Sequence, residues 1–210
     1  MPSGTAPASD PGRAAIEAFV AAARTGKDDV MWRMLSTLSR QRLGPRLADF
    51  RRGAAGELTE GVGSFRSFRV IVSERITPEL GVVAIDGLRR VEGARERSVY
   101  AAVLRLEGTS WKLELGGPVR VRAIGPDPGA RERVVAQVAA AVEGRSGSGT
   151  AVMYVDGQTV NPTVAGTATD STLYANLEPG LDPGRHTAVV FANAGREASA
   201  LAWAFTVTAR

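Results

Sequence analysis

Apolar and polar residues alternate along the central part of the chain, as they do in strands with one buried face. Four segments carry this alternation: Phe65–Thr77, Leu80–Val91, Arg97–Glu107 and Trp111–Ile124. Short turns separate these segments, so the pattern predicts a four-stranded antiparallel sheet. Because such a sheet cannot leave its apolar face in water, another part of the chain has to cover it.

Helical periodicity precedes the sheet and predicts three helices. Asp10 is placed to cap the first helix, Pro11 suits its first turn and Gly26 ends it. Asp28 starts a second helix whose apolar side reaches Leu38, and Pro45 starts a short third one. The next glycines predict a flexible passage into the sheet; they are Gly53, Gly56, Gly61 and Gly63. Helices followed by an antiparallel meander predict an α+β domain.

The pattern changes after residues 125–129, where two prolines and two glycines interrupt regular structure. Residues 131–143 fit either a helix or a strand, and their valine enrichment favours the strand. A Gly/Ser loop at 145–149 and several short strands follow, which indicates a β-sandwich. We therefore predict a flexible tether at residues 1–10, an α+β domain at 11–126 and a sandwich at 130–210, separable near Asp127.

The first half resembles the nuclear transport factor 2-like superfamily, which includes the SnoaL-like proteins. The resemblance rests on the order of elements and on the run DDVMWRMLSTLSRQRLG, with Trp32, Leu35, Ser36, Arg40 and Leu43. It implies a cone-shaped α+β fold, in which a curved sheet wraps around helices and leaves a pocket at its open end. Members of the superfamily use this pocket as an active site, as a small-molecule site or as a packed core.

The second half resembles a bacterial immunoglobulin-like domain. Three runs carry this resemblance: VMYVDGQTV, LDPGRHTAVVFA and ALAWAFTV. In the last run, Trp203, Phe205 and Val207 alternate with small residues and are expected to face the core. The resemblance implies a spacer or adhesive module outside the cytoplasm. We therefore expect the protein to lie in the cell envelope or to be secreted, and the alternative is that it is cytoplasmic.

Charge and composition narrow the functional classes. The chain has no cysteine, which excludes disulfides and thiolate chemistry. Residues 13–126 hold 20 Lys/Arg and 13 Asp/Glu, a net charge of +7, whereas residues 127–210 carry −2. Binding of an anionic partner would explain this distribution of charge. However, acidic residues interrupt the basic ones, which favours ordinary solvated surfaces. We therefore do not expect the chain to bind nucleic acid. No apolar run is long enough to span a bilayer.

The sequence offers few catalytic groups. His186, the one histidine, follows a turn, and we expect it to hydrogen-bond across that turn. Asp156, Asp170 and Asp182 lack the dense spacing of a calcium loop, so neither a metal nor another cofactor is expected. The predicted strands also contain Glu74, Asp86, Tyr100 and Trp111, among which no acid–base pair can be assigned. Asp86-Gly87 is interpreted as a bulge or a turn.

These observations favour a non-enzymatic bacterial envelope protein. Its cone would bind a small apolar ligand or a protein partner, and its sandwich would act as a spacer or contact module. The sequence does not determine the oligomeric state, and a dimer is one possibility. Trp32, Tyr100 and Trp111 are the expected pocket residues, since large amphipathic rings supply apolar contact and one polar group. The alternatives are that the three rings fill the cone, or that the chain is an isomerase- or dehydratase-like enzyme for a hydrophobic small molecule.

Overall fold

The structure is a computed structural model that describes residues 10–144, 149–167 and 169–209. The predicted tether, apart from Asp10, and most of the predicted loop at 145–149 lie outside the described residues. Five short helices open the described chain and are followed by strands. The helices are α1 (Pro11–Arg24), α2 (Asp28–Met34), α3 (Thr37–Leu43), α4 (Leu47–Arg52) and α5 (Ala54–Gly61).

The cap of α1 is confirmed, because Asp10 Oδ1 accepts hydrogen bonds from the backbone N–H of Gly12 at 3.0 Å and of Arg13 at 3.1 Å. The second predicted helix is wrong in extent, since it breaks into α2 and α3. At the break, Leu35 forms a parallel bridge with Leu113, and Ser36 caps α3 by accepting a hydrogen bond from the Ser39 N–H. The pairing of Leu35 with a strand therefore overrides the helical periodicity.

The predicted flexible passage is also wrong, because most of it forms α5 (Ala54–Gly61). Its glycines lower helix propensity by roughly 1 kcal/mol each relative to alanine. Burial of Ala55 and Val62 against the helix–sheet core favours the ordered conformation. Packing of these apolar residues outweighs the propensity of the glycines.

The first sheet is an antiparallel meander in the order β1-β2-β3-β4, as predicted. Its strands are β1 (Phe65–Arg75), β2 (Leu80–Val91), β3 (Ala94–Glu107) and β4 (Ser110–Glu114). The helices cover one face, where Ile16, Phe19 and Val20 of α1 pack on Val83 and Ile85 of β2 in one core.

The predicted fourth strand, Trp111–Ile124, is wrong as a single strand. Gly116, at φ +72°, and Pro118, which has no backbone N–H, interrupt it. β4 ends at Glu114, and β5 (Arg120–Gly125) pairs with β7 (Gln137–Glu143) instead. Sheet pairing therefore assigns β5 to the second half of the chain.

The second half consists of two sheets around one core. Residues 131–143 form a two-residue strand and β7, so the strand interpretation is confirmed for 137–143 and the helical alternative is wrong.

The second sheet has the order β10-β11-β7-β5, and the third sheet has the order β6-β13-β12-β8-β9. Their remaining strands are β6 (Arg131–Glu132), β8 (Ala151–Val155), β9 (Gln158–Val160), β10 (Thr163–Gly166), β11 (Asp170–Asn176), β12 (Gly184–Ala194) and β13 (Glu197–Val207).

Trp203 is in this core, as predicted. Only 2% of its surface is exposed, and its indole N–H donates to the Pro126 carbonyl at 2.9 Å. Phe205 and Val207 lie in the same core. The mixed α+β fold class is thus confirmed for the described residues.

A third core joins the two halves. The face of the first sheet that points away from the helices packs on the outer face of the third sheet, through Val72, Val82 and Val103 on one side and Tyr154 and Phe191 on the other. The layers are therefore helices, first sheet, third sheet and second sheet. Each inner sheet is covered on both faces, as its long apolar runs require.

Polar contacts border this third core. Arg105 binds the Glu114 carboxylate and the Arg196 carbonyl, and Arg42 binds the Glu197 carboxylate. Arg196 and Glu197 belong to the β12–β13 hairpin, so these contacts tie the first half to the second. The division at residues 126–130 stays a prediction, but the two halves share an extensive interface.

Candidate functional site

A cleft lies where the N-terminus of α1 meets the ends of the four strands of the first sheet. Its volume is about 300 Å³. We call it the α1 cleft and define it by its lining residues, which are Asp10, Pro11, Gly12, Ser73, Glu74, Arg75, Gly81, Leu104 and Trp111. Leu104 and Trp111 supply its large apolar side chains.

Gly12 brings α1 close to the sheet beside this cleft. A Cβ at this position would lie 2.5 Å from Ser73 Oγ and 2.7 Å from Leu104 Cδ1, so a larger residue would require these two side chains to shift. Ser73 Oγ in turn donates to Asp10 Oδ1 at 2.7 Å. Asp10 therefore fixes both the start of α1 and its distance from β1, and its Oδ1 atom already accepts hydrogen bonds from three donors.

Glu74 lines the same cleft and is also engaged. Tyr154 of β8 donates its hydroxyl to Glu74 Oε2 at 2.9 Å. Burial raises the pKa of the Tyr154 phenol, and the bonded Glu74 carboxylate raises it further. Tyr154 therefore stays protonated and acts as a donor that holds the carboxylate against the third core.

The three predicted pocket residues occupy different surroundings. Trp111 lines the α1 cleft, with the Arg75 guanidinium 6.0 Å from its ring centroid. Trp32 donates its indole N–H to the Gly44 carbonyl at 2.9 Å and lies beneath Arg40, and Tyr100 is half-buried in the helix–sheet core. Burial raises the pKa of the Tyr100 phenol. Trp32 and Tyr100 thus border the same core as Trp111 without lining the α1 cleft, and their role in ligand binding stays a prediction.

Sequence reasoning missed a second polar cluster, which is centred on Asp86. The interpretation of Asp86-Gly87 as a bulge or a turn is wrong, because both residues lie within β2 and pair with Arg69 and Phe68 of β1. A Cβ on Gly87 would lie 2.2 Å from the Ser67 carbonyl oxygen, so glycine is needed for close approach of the strands.

The Asp86 carboxylate is fully buried and contacts three arginines. Arg97 donates at 2.8 Å and 3.3 Å, Arg185 of β12 donates at 2.9 Å, and Arg69 lies at 3.5 Å. Burial alone would raise the pKa of Asp86. The Arg97 hydrogen bond and the charges of Arg185, Arg97 and Arg69 outweigh burial, so the pKa is held below its ordinary value. In the sequence, the signal that pointed to this cluster was Asp86, an acidic residue within the apolar run from Gly81 to Gly87.

His186 hydrogen-bonds across its turn, as predicted. Its Nε2 lies 2.7 Å from the Asp182 carbonyl oxygen, and its Nδ1 lies 2.7 Å from Asp156 Oδ2. Asp156 also accepts from the Thr187 N–H at 2.8 Å. The ring stacks on Phe205, with centroids 5.8 Å apart. These contacts connect the β8–β9 turn to the start of β12 and leave both ring nitrogens engaged.

Within residues 10–144, 149–167 and 169–209, no three His, Cys, Asp or Glu side chains come together in a way that could hold a metal ion. None of the helices in these ranges is both long enough and apolar enough to cross a bilayer.

Comparisons with known proteins identify no family for this chain. No protein-family model and no curated protein matches it. Among solved structures, the endo-beta-1,4-mannanase from Thermotoga petrophila matches 44% of this chain and 20% of its own, with 13% identity and a TM-score of 0.35. This chain thus spans about a fifth of that protein, and a similarity at this level carries no argument about fold or activity.

Proposed function

We propose that this chain is a non-enzymatic binding protein of the bacterial envelope. The first half, with the cone architecture of nuclear transport factor 2-like proteins, holds a small apolar ligand or an apolar segment of a protein partner in the α1 cleft. The second half, an immunoglobulin-like sandwich, serves as a spacer and contact module.

The observation that carries this proposal is the chemistry of the α1 cleft. Trp111 and Leu104 offer apolar contact, whereas the cleft carboxylates already accept hydrogen bonds from within the protein. A volume of about 300 Å³ is at the lower end of the range for small-molecule sites. Apolar contact then provides the affinity. The Arg75 guanidinium, which also donates to the Thr77 and Pro78 carbonyls, orients a polar end through its remaining N–H groups.

Single-tryptophan variants test this proposal without truncating the core. The chain has three tryptophans, so Trp32→Phe with Trp203→Phe leaves Trp111 as the reporter. We expect the neutral apolar probe N-phenyl-1-naphthylamine to quench Trp111 emission saturably, because the probe would sit against the indole ring. The matched control, Trp111→Phe with Trp203→Phe, leaves Trp32 as the reporter and should be quenched less at every probe concentration.

Equal quenching of the two reporters, or quenching of Trp111 that does not saturate, would rule out the α1 cleft as the binding site. Far-ultraviolet circular dichroism of both variants verifies that the phenylalanine substitutions preserve the fold.

An enzyme acting on a hydrophobic small molecule is the second candidate. It is favoured by Glu74, an exposed residue that lines the cleft and whose Oε2 accepts a hydrogen bond from the Tyr154 phenol at the edge of the third core. In this case Glu74 would take a proton from the substrate and Tyr154 would hold the carboxylate in position. Isomerisation or dehydration of an apolar ketone or alcohol that is lost in Glu74→Gln, with binding of the probe retained, would favour the enzyme.

A further inference from the structure

One end of the first sheet extends past the region that the third sheet covers. Along β2 and β3, Val82, Ala84 and Val103 face the third core. Since side chains alternate along a strand, Leu88 and Arg90 of β2 lie on that same face. Leu88 is 42% exposed and Arg90 is exposed, so the face continues into solvent near the β2–β3 turn.

Cross-strand pairing concentrates arginines on this exposed end. Leu88 pairs with Arg97, Arg90 pairs with Arg95, and Arg69 pairs with Asp86 on the other side. We call the group Arg69, Leu88, Arg90, Arg95 and Arg97 the arginine face. Asp86 is the acidic residue within it, and Glu92 lies in the adjoining turn.

The charge balance of this face is strongly positive. The Asp86 carboxylate is shared by Arg69, Arg97 and Arg185. Arg90 and Arg95 have no ion pair among the described residues, although Glu96 on the opposite face pairs with Arg89 at 3.7 Å. Two like charges directly opposite one another on neighbouring strands are destabilising. No internal contact of the described residues offsets the repulsion between Arg90 and Arg95.

The shape and composition of the arginine face indicate which class of partner it can bind. Arginine is enriched at protein–protein interfaces and among the residues that contribute most to binding there. Alternate residues on a strand are roughly 7 Å apart, which is also the spacing of alternate side chains in an extended peptide. The strand positions of this face hold no aromatic residue for base stacking, which single-stranded nucleic acid binding uses.

We propose that the arginine face binds an extended acidic segment of a partner protein, with carboxylates on alternate residues. Arg90 and Arg95, which lie opposite one another, together bind one carboxylate. Arg97 binds the carboxylate two residues along the segment, and Leu88, which pairs with Arg97, contacts the aliphatic part of that acidic side chain. Asp86 fixes the orientation of Arg69 and Arg97, so that their outer N–H groups remain available. This partner site is separate from the α1 cleft.

Fluorescence anisotropy with labelled ten-residue peptides tests the proposal on the full chain. An alternating Glu-Ala peptide should bind at low ionic strength, and a Gln-Ala peptide of equal length should bind at least roughly tenfold more weakly. The double variant Arg90→Gln, Arg95→Gln should weaken binding of the Glu-Ala peptide by roughly tenfold, because two charge-assisted contacts are lost.

The matched control is Arg131→Gln, Arg133→Gln, which removes the same charge from exposed arginines of the second half. It should retain wild-type affinity for the peptide. Equal weakening by the two double variants, or equal binding of the Glu-Ala and Gln-Ala peptides, would overturn the proposal. A 20-base-pair DNA duplex that binds more tightly than the peptide, and that depends on Arg90 and Arg95, would overturn it in favour of a nucleic acid partner.

Discussion

Asp86 is the residue where burial and charge oppose each other most directly. Its carboxylate has no exposed surface, yet it stays ionised because Arg97, Arg185 and Arg69 surround it. Breaking up such a cluster is costly, since the remaining guanidinium groups lose their shared acceptor. One of those groups, Arg185, belongs to the second half, so the Asp86 cluster also stabilises the interface between the halves.

The variant Asp86→Asn should lower the free energy of unfolding at pH 7 by about 1.5–3 kcal/mol, the typical value of hydrogen bonds to a charged group. The folded-state pKa of Asp86 lies below its ordinary value, so its stabilisation is present above about pH 3.9 and is lost as the pH falls towards the folded pKa. Urea unfolding of both proteins from pH 7 to pH 2.5 measures this. The difference between them should shrink only below about pH 4.

Asp127→Asn is the control for this series, because Asp127 is exposed. Its unfolding free energy should follow the wild type at every pH. A difference between wild type and Asp86→Asn that stays constant down to pH 2.5 would contradict the assigned ionisation of Asp86.

At the scale of elements, the alternation of apolar residues predicted β1, β2 and β3 and the order of the first sheet. Local patterns could not predict where packing overrides propensity. The helix break at Leu35 depends on a bridge to Leu113, and that contact joins residues far apart in the sequence. The same limit applies to the candidate site, since Trp111 was predicted from its strand, whereas the Asp86 cluster needs Arg185 from a distant strand.

Gly87 offers a test at this scale. In Gly87→Ala, the new Cβ would overlap the Ser67 carbonyl oxygen and force β1 and β2 apart. We expect a loss of about 1–3 kcal/mol in the free energy of unfolding, as for other overpacked sites. Thermal and urea unfolding measure the change.

The matched substitution is Gly56→Ala in α5, where a Cβ meets nothing within 4 Å. It should stabilise the protein by about 0.4–1 kcal/mol, because alanine restricts the unfolded chain and favours a helix. Equal effects of the two substitutions would show that the approach of β1 to β2 at Gly87 is looser than described.

At the scale of the whole molecule, the third core determines whether the two halves are stable separately or only together. A fragment that ends at Asp127 would contain β5 without β7 and would expose Val72, Val82 and Val103 to water. The prediction that the first half folds alone therefore requires the fragment to stay folded with β5 unpaired and with the apolar face of its first sheet exposed to water. We expect such a fragment to be less stable than the same residues in the intact chain.

The central claim is that the two halves fold as one cooperative unit through the third core. Differential scanning calorimetry of the intact chain tests this claim most directly. A single transition with equal calorimetric and van't Hoff enthalpies is the predicted result, because neither half can unfold without exposing the shared apolar faces. Two resolved transitions, or a calorimetric enthalpy well above the van't Hoff value, would contradict the claim.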